Sequence, residues 1–323
     1  MKIVEISFLL LLSFSVKVYS QTEIVAHRGY WNCPGSAPNS LASLEKADSL
    51  GCFASEFDVN ISRDSTVFVY HNSKIGRLDM DEMSDGEIGS YRLPDGEPIP
   101  TLEAYLQKGA LLDVHLFLEI KVQSNPGLQE ALIRRTLDLV RRHDLQERTI
   151  FISLSRKICD ELIRIDPSLK VGYVGGDAIL TPRELANSGY YLMDYYYEIY
   201  QRNPSLISEA HKAGIKAGVW VVGSQKDVLS YVQNGIDYIT TDNLPGALTY
   251  LKAQQAGCAD KPQPLRINGK VALYGISPAY PVLIYNSAGR LVSRTLDRGQ
   301  LRLPSVHGVY FLINGEKRFK FTL

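Results

Sequence analysis

The chain has no excess of charge of either sign, little cysteine, and no long apolar run after its first 16 residues. Lys and Arg together number 35 and Asp and Glu also number 35, so the formal net charge is zero. A protein that binds nucleic acid through bulk charge has a basic excess, and a disordered chain is poor in apolar residues. Hydrophobic residues make up 45% of this chain. We therefore expect a folded protein that has no nucleic-acid partner.

Cysteine is too scarce to predict a disulfide-based fold. Four cysteines occur among 323 residues, and a chain of this length buries a large core without disulfides. Cys33 and Cys52 flank the first predicted helix and would lie near opposite ends of an α/β barrel, so no disulfide is expected between them. The length allows one barrel of about 250 residues and a small second module.

Residues 1–20 predict a cleaved signal peptide. Lys2 precedes an apolar run at residues 6–16, which is shorter than the roughly 20 residues that a membrane-spanning helix needs. Val18 and Ser20 then occupy the third and first positions before a cleavage site. A membrane anchor and an N-terminal core helix are the alternatives. We expect an exported chain, periplasmic or extracellular or at the cell surface, with no integral membrane segment after cleavage.

Strand and helix patterns alternate between Thr22 and about Gln255. Glycines at the ends of several helical segments supply left-handed C-caps. Eight strands over this length predict a TIM-type (β/α)8 barrel at residues 21–257, with a doubly wound open sheet as the alternative. The predicted strands are residues 24–26, 53–61, 116–122, 150–154, 171–174, 190–193, 217–222 and 238–240.

The pattern changes after Gln255 to short strands separated by turns. Residues 258–264 contain two prolines and predict a linker. Residues 265–323 predict a small all-β, sandwich-like module, in which Asn314 and Gly315 form a hairpin signal. Its strand–turn pattern, at residues 285–292, 308–311 and 320–323, resembles the C-terminal sorting modules of proteins exported by Bacteroidetes-type secretion systems.

Charged residues and histidines gather where the predicted barrel strands end, which is where TIM barrels hold their active sites. Alternate residues of a strand face the same way, so Glu56 points with Asp58 and Glu119 points with Lys121. Three carboxylates at one barrel mouth repel each other unless a cation lies among them. Oxygen-only ligands favour Ca²⁺ or Mg²⁺ over Zn²⁺. We therefore predict one divalent cation bound by Glu56, Asp58 and Glu119.

The ordered set of motifs over residues 22–255 resembles the glycerophosphodiester phosphodiesterase family. The chain departs from the family pattern in three places: the Pro-Asn loop lacks a Glu, Asn72 replaces an Asp, and Gly223 stands where the family often has Asn. These departures concern the substrate range more than the activity. The matching motifs are His27-Arg28-Gly29, Pro38-Asn39-Ser40, Glu56-Phe57-Asp58, His71-Asn72, Glu119-Ile120-Lys121, Val219-Trp220-Val221 and Thr241-Asp242.

The resemblance implies metal-dependent hydrolysis of a glycerophosphodiester to glycerol 3-phosphate and an alcohol. His27 and His71 would divide the proton transfers. Arg28 and Lys121 would bind the phosphodiester. Which histidine is the acid, and whether water or a glycerol hydroxyl attacks first, stays open.

Two aromatic residues are predicted to bind the substrate. Trp220 would cover its glycerol side, with a role in the barrel core as the alternative. Tyr195 belongs to a tyrosine-rich segment that could form an aromatic wall of the pocket, or could pack helices against the sheet. Residues 78–100 are predicted to form an insertion on the substrate side.

Two other functions remain open at this point. One is a phosphatidylinositol-type phospholipase C-like phosphodiesterase that acts at a membrane and needs an exposed apolar rim. The other is a non-catalytic barrel that binds glycans or another ligand. The intact set of histidines and carboxylates favours an enzyme with a small-molecule glycerophosphodiester substrate over both.

Overall fold

The structure is a computed structural model that describes residues 22–176 and 180–255, and mainly strand segments within residues 264–322. The described residues fall into two compact units, divided between Leu244 and Pro245. The predicted signal peptide and all but the last residue of the predicted linker lie outside the described residues.

Eight parallel strands form a closed barrel. Each strand pairs with the next in chain order, and the first pairs with both the second and the last, which closes the sheet. The predicted TIM-type barrel is confirmed, and the doubly wound alternative is wrong. The strands are β1 (Glu23–Ala26), β2 (Ala54–Ile61), β3 (His115–Ile120), β4 (Thr149–Ser153), β5 (Lys170–Gly175), β6 (Leu192–Tyr196), β7 (Lys216–Trp220) and β8 (Tyr238–Thr241).

One principal helix follows each strand along the chain. Several begin at a Ser or Thr whose hydroxyl accepts a backbone N–H of the first turn, as at Ser40 and Thr101. No helix of the described residues is both long enough and apolar enough to span a bilayer. The helices are α1 (Leu41–Ser49), α2 (Leu102–Gly109), α3 (Pro126–Arg142), α4 (Arg156–Ile165), α5 (Pro182–Asn187), α6 (Leu206–Ala213), α7 (Gln225–Gln233) and α8 (Leu244–Gln255).

Alternate side chains of the strands fill the barrel interior, and their character changes along the strands. Apolar residues such as Val25, Phe117 and Leu192 form its buried core cluster. Two residues further along their strands, His27 and Glu119 occupy the same face, because side chains alternate. The carboxyl end of the barrel is therefore polar, and the predicted site residues are concentrated there.

A long segment between β2 and α2 forms a small subdomain with its own apolar core. A short strand, Val67–Val69, runs antiparallel to β2, and a hairpin joins Lys74–Ile75 to Leu78–Asp79. The segment continues through a 3-10 turn at Met80–Glu82 and a short helix at Asp85–Gly89. Ala37, from the loop before α1, packs into this core, whose other residues are Phe68, Ile75, Met80, Met83, Ile88, Leu93 and Ile99.

The C-terminal unit contains antiparallel strands. Pro264–Ile267 pairs with Lys270–Leu273. A four-stranded sheet follows, in the spatial order Leu291–Thr295, Val282–Asn286, Val309–Asn314 and Lys317–Thr322. The predicted sandwich and sorting module stay predictions. Among the described residues Cys33, Cys52 and Cys159 are free thiols.

Candidate active site

The structure brings the three predicted carboxylates together at the carboxyl end of β2 and β3. Asp58 and Glu119 are partners in the parallel pairing of these strands, and Glu56 precedes Asp58 on the same face. One oxygen of each of these residues lies within 4.8 Å of the others. All three are buried.

Burial and mutual repulsion disfavour the charged forms of two of these carboxyl groups. Burial, followed by Asp58 and Glu119, raises the pKa of Glu56 well above its ordinary value. Burial also raises the pKa of Glu119 to about 7. The pKa of Asp58 is lowered despite its burial, because Lys121 and His71 favour its charged form. Two of the three groups therefore lack sufficient compensating charge from the chain.

A divalent cation fits this donor set. The chain supplies two positive groups: Lys121 Nζ lies 2.8 Å from both Asp58 Oδ1 and Glu119 Oε1, and Arg28 Nε lies 3.8 Å from Asp58 Oδ2. Arg28 Nε is buried without a hydrogen-bond partner. Three carboxylates against two cations leave one negative charge, and an oxygen-only donor set suits a hard ion.

The turn after β1 has a strained backbone that positions Arg28. Arg28 has a φ of +56°, and its backbone N–H donates a 2.8 Å hydrogen bond to Glu56 Oε2. Gly29 follows with a φ of +75°, and a Cβ on it would lie 2.7 Å from the backbone carbon of Ser43. The turn therefore requires glycine at this position for two reasons, its dihedral angle and the close approach of α1.

We expect Gly29→Ala to lower the free energy of unfolding by at least ~2 kcal/mol, because it adds a backbone clash to the cost of a left-handed alanine. Gly51→Ala is the matched control. Gly51 has a φ of +71° and nothing within 4 Å of an added Cβ, so it should lose only about 1 kcal/mol. Chemical unfolding curves measure both. Equal losses would contradict the proposed contact with Ser43.

His27 is oriented by a carboxylate from the last barrel strand. Its Nδ1 lies 2.8 Å from Oδ1 of Asp242, which also accepts a 3.1 Å hydrogen bond from Trp31 Nε1. These bonds lower the pKa of Asp242 despite its partial burial. A carboxylate at Nδ1 fixes the imidazole ring and leaves Nε2 for proton transfer.

His71 lies on the other side of the carboxylates, at a cavity of about 620 Å³. Its Nδ1 lies 2.8 Å from Asn72 Oδ1, and because an amide oxygen only accepts, Nδ1 carries the proton. Burial, followed by the charge of Lys121, lowers the pKa of His71. The cavity is lined by Tyr70, His71, Asn72, Ser73, Lys74, Gly76, Glu119, Ile120, Lys121, Val122, Ser153 and Leu154.

Asn60, which was not predicted from the sequence, supports the turn that carries His71. Its Nδ2 donates to the carbonyls of Tyr70 at 2.7 Å and Asn72 at 3.2 Å, the two residues that flank His71. Its Oδ1 accepts a 3.0 Å bond from Gln123 Nε2. Asn60 is fully buried, two positions after Asp58 on the same strand face, and that spacing was the available sequence signal.

The two predicted aromatic residues differ in position. Trp220 is partly buried at the end of β7, and its ring centre lies 5.2 Å from that of Tyr196. Tyr195 is fully buried, and its hydroxyl bonds to the backbone of Leu180. The structure therefore does not bring Tyr195 to the barrel mouth. The strand continues to Tyr196, so alternation turns Tyr195 outward and Tyr196 inward.

A comparison with known protein families agrees with this arrangement of site residues. The profile of the glycerophosphoryl diester phosphodiesterase family matches residues 27–245, a span that includes every predicted site residue. The chain belongs to this family. It is therefore an enzyme of the glycerophosphodiester phosphodiesterase class.

Individual relatives cover the barrel. The chain is 26% identical over 239 residues to a glycerophosphodiester phosphodiesterase of Caldanaerobacter subterraneus, covering 69% of this chain and 95% of the relative. The crystal structure of a glycerophosphodiester phosphodiesterase from Parabacteroides distasonis has a TM-score of 0.70 and 33% identity, covering 73% of this chain and 99% of that one. An Oleispira antarctica phosphodiesterase, determined in complex with the product sn-glycerol-3-phosphate, shares the fold at 22% identity and a TM-score of 0.62, covering 71% and 96%.

Proposed function

We propose that the chain hydrolyses soluble glycerophosphodiesters to glycerol 3-phosphate and an alcohol, with one bound Ca²⁺ or Mg²⁺. One observation carries the proposal: two histidines flank a buried group of three carboxylates whose oxygens lie within 4.8 Å of one another. Membership of the family and the product named for the Oleispira antarctica relative support the same reaction.

Glu56, Asp58 and Glu119 would hold the cation, which when bound polarises a phosphoryl oxygen. Arg28 and Lys121 bind the phosphodiester and stabilise the negative charge that develops on it. Arg28 is suited to this role because its Nε has no hydrogen-bond partner and is held beside Asp58.

The two histidines have different surroundings, and we assign them different roles. His71 has its Nδ1 proton on Asn72 and a pKa lowered by burial and by Lys121, so a neutral ring with a free Nε2 accepts the proton of the attacking oxygen. His27 has its Nδ1 against Asp242 Oδ1, so its Nε2 remains for proton transfer. We assign to His27 the second proton transfer, the protonation of the leaving alkoxide.

A panel of glycerophosphocholine, glycerophosphoethanolamine, glycerophosphoinositol and glycerophosphoglycerol tests the proposal, each with and without chelator. We expect release of glycerol 3-phosphate, loss of at least about a hundredfold in rate on chelation, and recovery with Ca²⁺ or Mg²⁺. Unchanged hydrolysis after complete chelation would contradict metal dependence. Release of phosphocholine, phosphoethanolamine or inositol phosphate together with free glycerol would contradict the proposed bond cleavage.

A lipid phosphodiester is the second candidate substrate. The apolar side chains of Val122 and Leu154 are 58% and 49% exposed, and both line the cavity that contains His71. Phosphatidylinositol vesicles added to the same panel separate the candidates, since an enzyme for soluble diesters should leave them intact.

We further propose that the chain is exported, with residues 1–20 as a cleaved signal peptide and the C-terminal module at 265–323 serving in sorting. The n-region, apolar run and small-residue cleavage site support the first part. The strand–turn pattern of the C-terminal residues supports the second. The site residues all lie before residue 245, so the module adds none of them.

A further inference from the structure

Asp194 is a buried carboxyl group inside the barrel, and the described residues provide no partner for its side chain. It lies on β6 and is 3% exposed. The influences on its ionisation are burial and the charge of Glu119, and they include no hydrogen bond or ion pair from the described residues. A buried carboxyl group without a partner costs several kcal/mol of stability, and such groups in native proteins need an explanation.

The local structure makes room for this side chain. Asp194 pairs in register with Gly218 of β7, and a Cβ on Gly218 would lie only 2.6 Å from Asp194 Oδ1. The indole of Trp220 donates a 3.1 Å hydrogen bond to the backbone carbonyl of Asp194. Leu192, two positions earlier on β6, belongs to the core cluster of the barrel, so alternation places the Asp194 carboxyl group in the barrel interior as well.

Asp194 is separate from the predicted cation site. The three carboxylates whose oxygens lie within 4.8 Å of one another do not include it. It lies on β6, opposite β2 in an eight-stranded barrel, whereas the cavity of His71 is lined by residues that follow β2, β3 and β4.

We propose that the Asp194 carboxyl group exchanges hydrogen bonds with the hydroxyls of the substrate's glycerol group, accepting from one and donating to the other. It would so select glycerol phosphodiesters over other diesters. This inference rests on the proposed function. The glycerol group is common to all substrates of the reaction, so a polar side chain fixed in the barrel interior suits it.

The protonation behaviour of Asp194 agrees with a hydroxyl ligand. Burial, and secondarily the charge of Glu119, raise the pKa of Asp194 to about 8. A carboxyl group that holds its proton near neutral pH both donates and accepts, as a hydroxyl does. An ammonium ligand would instead require the charged carboxylate.

Calorimetric titration of the Ca²⁺- or Mg²⁺-loaded protein with two ligands tests the assignment. Glycerol 3-phosphate and n-propyl phosphate have the same chain length and differ in two hydroxyls. Wild type should bind glycerol 3-phosphate at least about tenfold more tightly. In Asp194→Ala the ratio should fall to near one, with the affinity for propyl phosphate within about threefold of wild type, and Asp194→Asn should keep most of the preference.

Persistence of the wild-type ratio in Asp194→Ala would overturn the inference, and so would equal weakening of both ligands. A wild-type protein that binds neither phosphate would overturn the proposed function, and this inference with it. Loss of the preference in Asp194→Asn as well as in Asp194→Ala would indicate that recognition requires the charged carboxylate, and would also overturn the inference.

Thermal melts of the metal-free protein separate recognition from a structural role. Asp81→Asn is the matched comparison, because Asp81 is also buried but its Oδ2 accepts three hydrogen bonds from Ser124 and Asn125. Asp81→Asn should lower the melting temperature, whereas Asp194→Asn should keep or raise it, since it removes no interaction with the residues that the structure describes. A larger decrease for Asp194→Asn than for Asp81→Asn would assign Asp194 to the fold and overturn the inference.

Discussion

Replacing His27 with Ala is expected to reduce the hydrolysis of glycerophosphodiesters by about 10²–10⁴-fold, the usual contribution of one positioned acid or base. The loss should appear in kcat, because His27 lies at the barrel mouth beside the proposed phosphate position and acts in the chemical step. The melting temperature should change little, since the ring is held mainly by one hydrogen bond to Asp242. Steady-state kinetics of the metal-loaded variant, together with a thermal melt, measure both quantities.

His211 provides a matched control. It also forms a histidine–aspartate pair, with Nε2 of His211 2.7 Å from Oδ2 of Asp237. That aspartate precedes β8, so this pair lies at the amino end of the barrel, away from the carboxylates. His211→Ala should lower the melting temperature and leave kcat within about threefold of wild type. Similar losses of kcat in the two variants would contradict a catalytic role for His27.

Much of the barrel and the charged site could be predicted because local rules decide both. A chain of eight alternating strands and helices can pack in few ways, of which the closed barrel is one. The parallel strands of a barrel place their carboxyl ends at one mouth. Glu56, Asp58, Glu119 and Lys121 then follow from alternation along two neighbouring strands. No knowledge of distant contacts was needed to bring these four side chains together.

The remaining site residues depend on contacts that sequence patterns do not report. Asp242 orients His27 across 215 residues of the chain, so its role depends on the closure of the barrel. The position of Asp194 inside the barrel depends on its inward orientation and on Gly218 of the neighbouring strand, which has no side chain to fill the same space. The error at Tyr195 has a local origin: the strand was predicted to end at residue 193, whereas it continues to Tyr196, and the alternation of side chains continues with it.

Glu119→Gln is expected to abolish ion-induced stabilisation. Wild type should gain about 2.7 kcal/mol at a hundredfold excess of Ca²⁺ or Mg²⁺ over Kd, or about 5–10 °C in Tm for a barrel of this size. Glutamine keeps the shape of the side chain but removes the charge that the ion requires. Glu103→Gln is the control, because Glu103 pairs with His143 and Arg142 on α3 and its C-cap, outside the site. That variant should keep the full ion-induced shift.

Without a bound ion, the Glu119→Gln variant should be at least as stable as the wild type. The pKa of Glu119 is raised from 4.5 to about 7 in the folded chain, so the unfolded chain releases this proton first as the pH rises. Stability of the metal-free wild type should therefore fall between about pH 4.5 and 7 and then level off. Glu119→Gln lacks this contribution and should be at least as stable as wild type at pH 8.

Equal ion-induced shifts in wild type and Glu119→Gln would exclude Glu119 as a ligand. A metal-free Glu119→Gln protein less stable than wild type at pH 8 would show that its carboxylate is stabilised by Lys121 more than it is destabilised by burial.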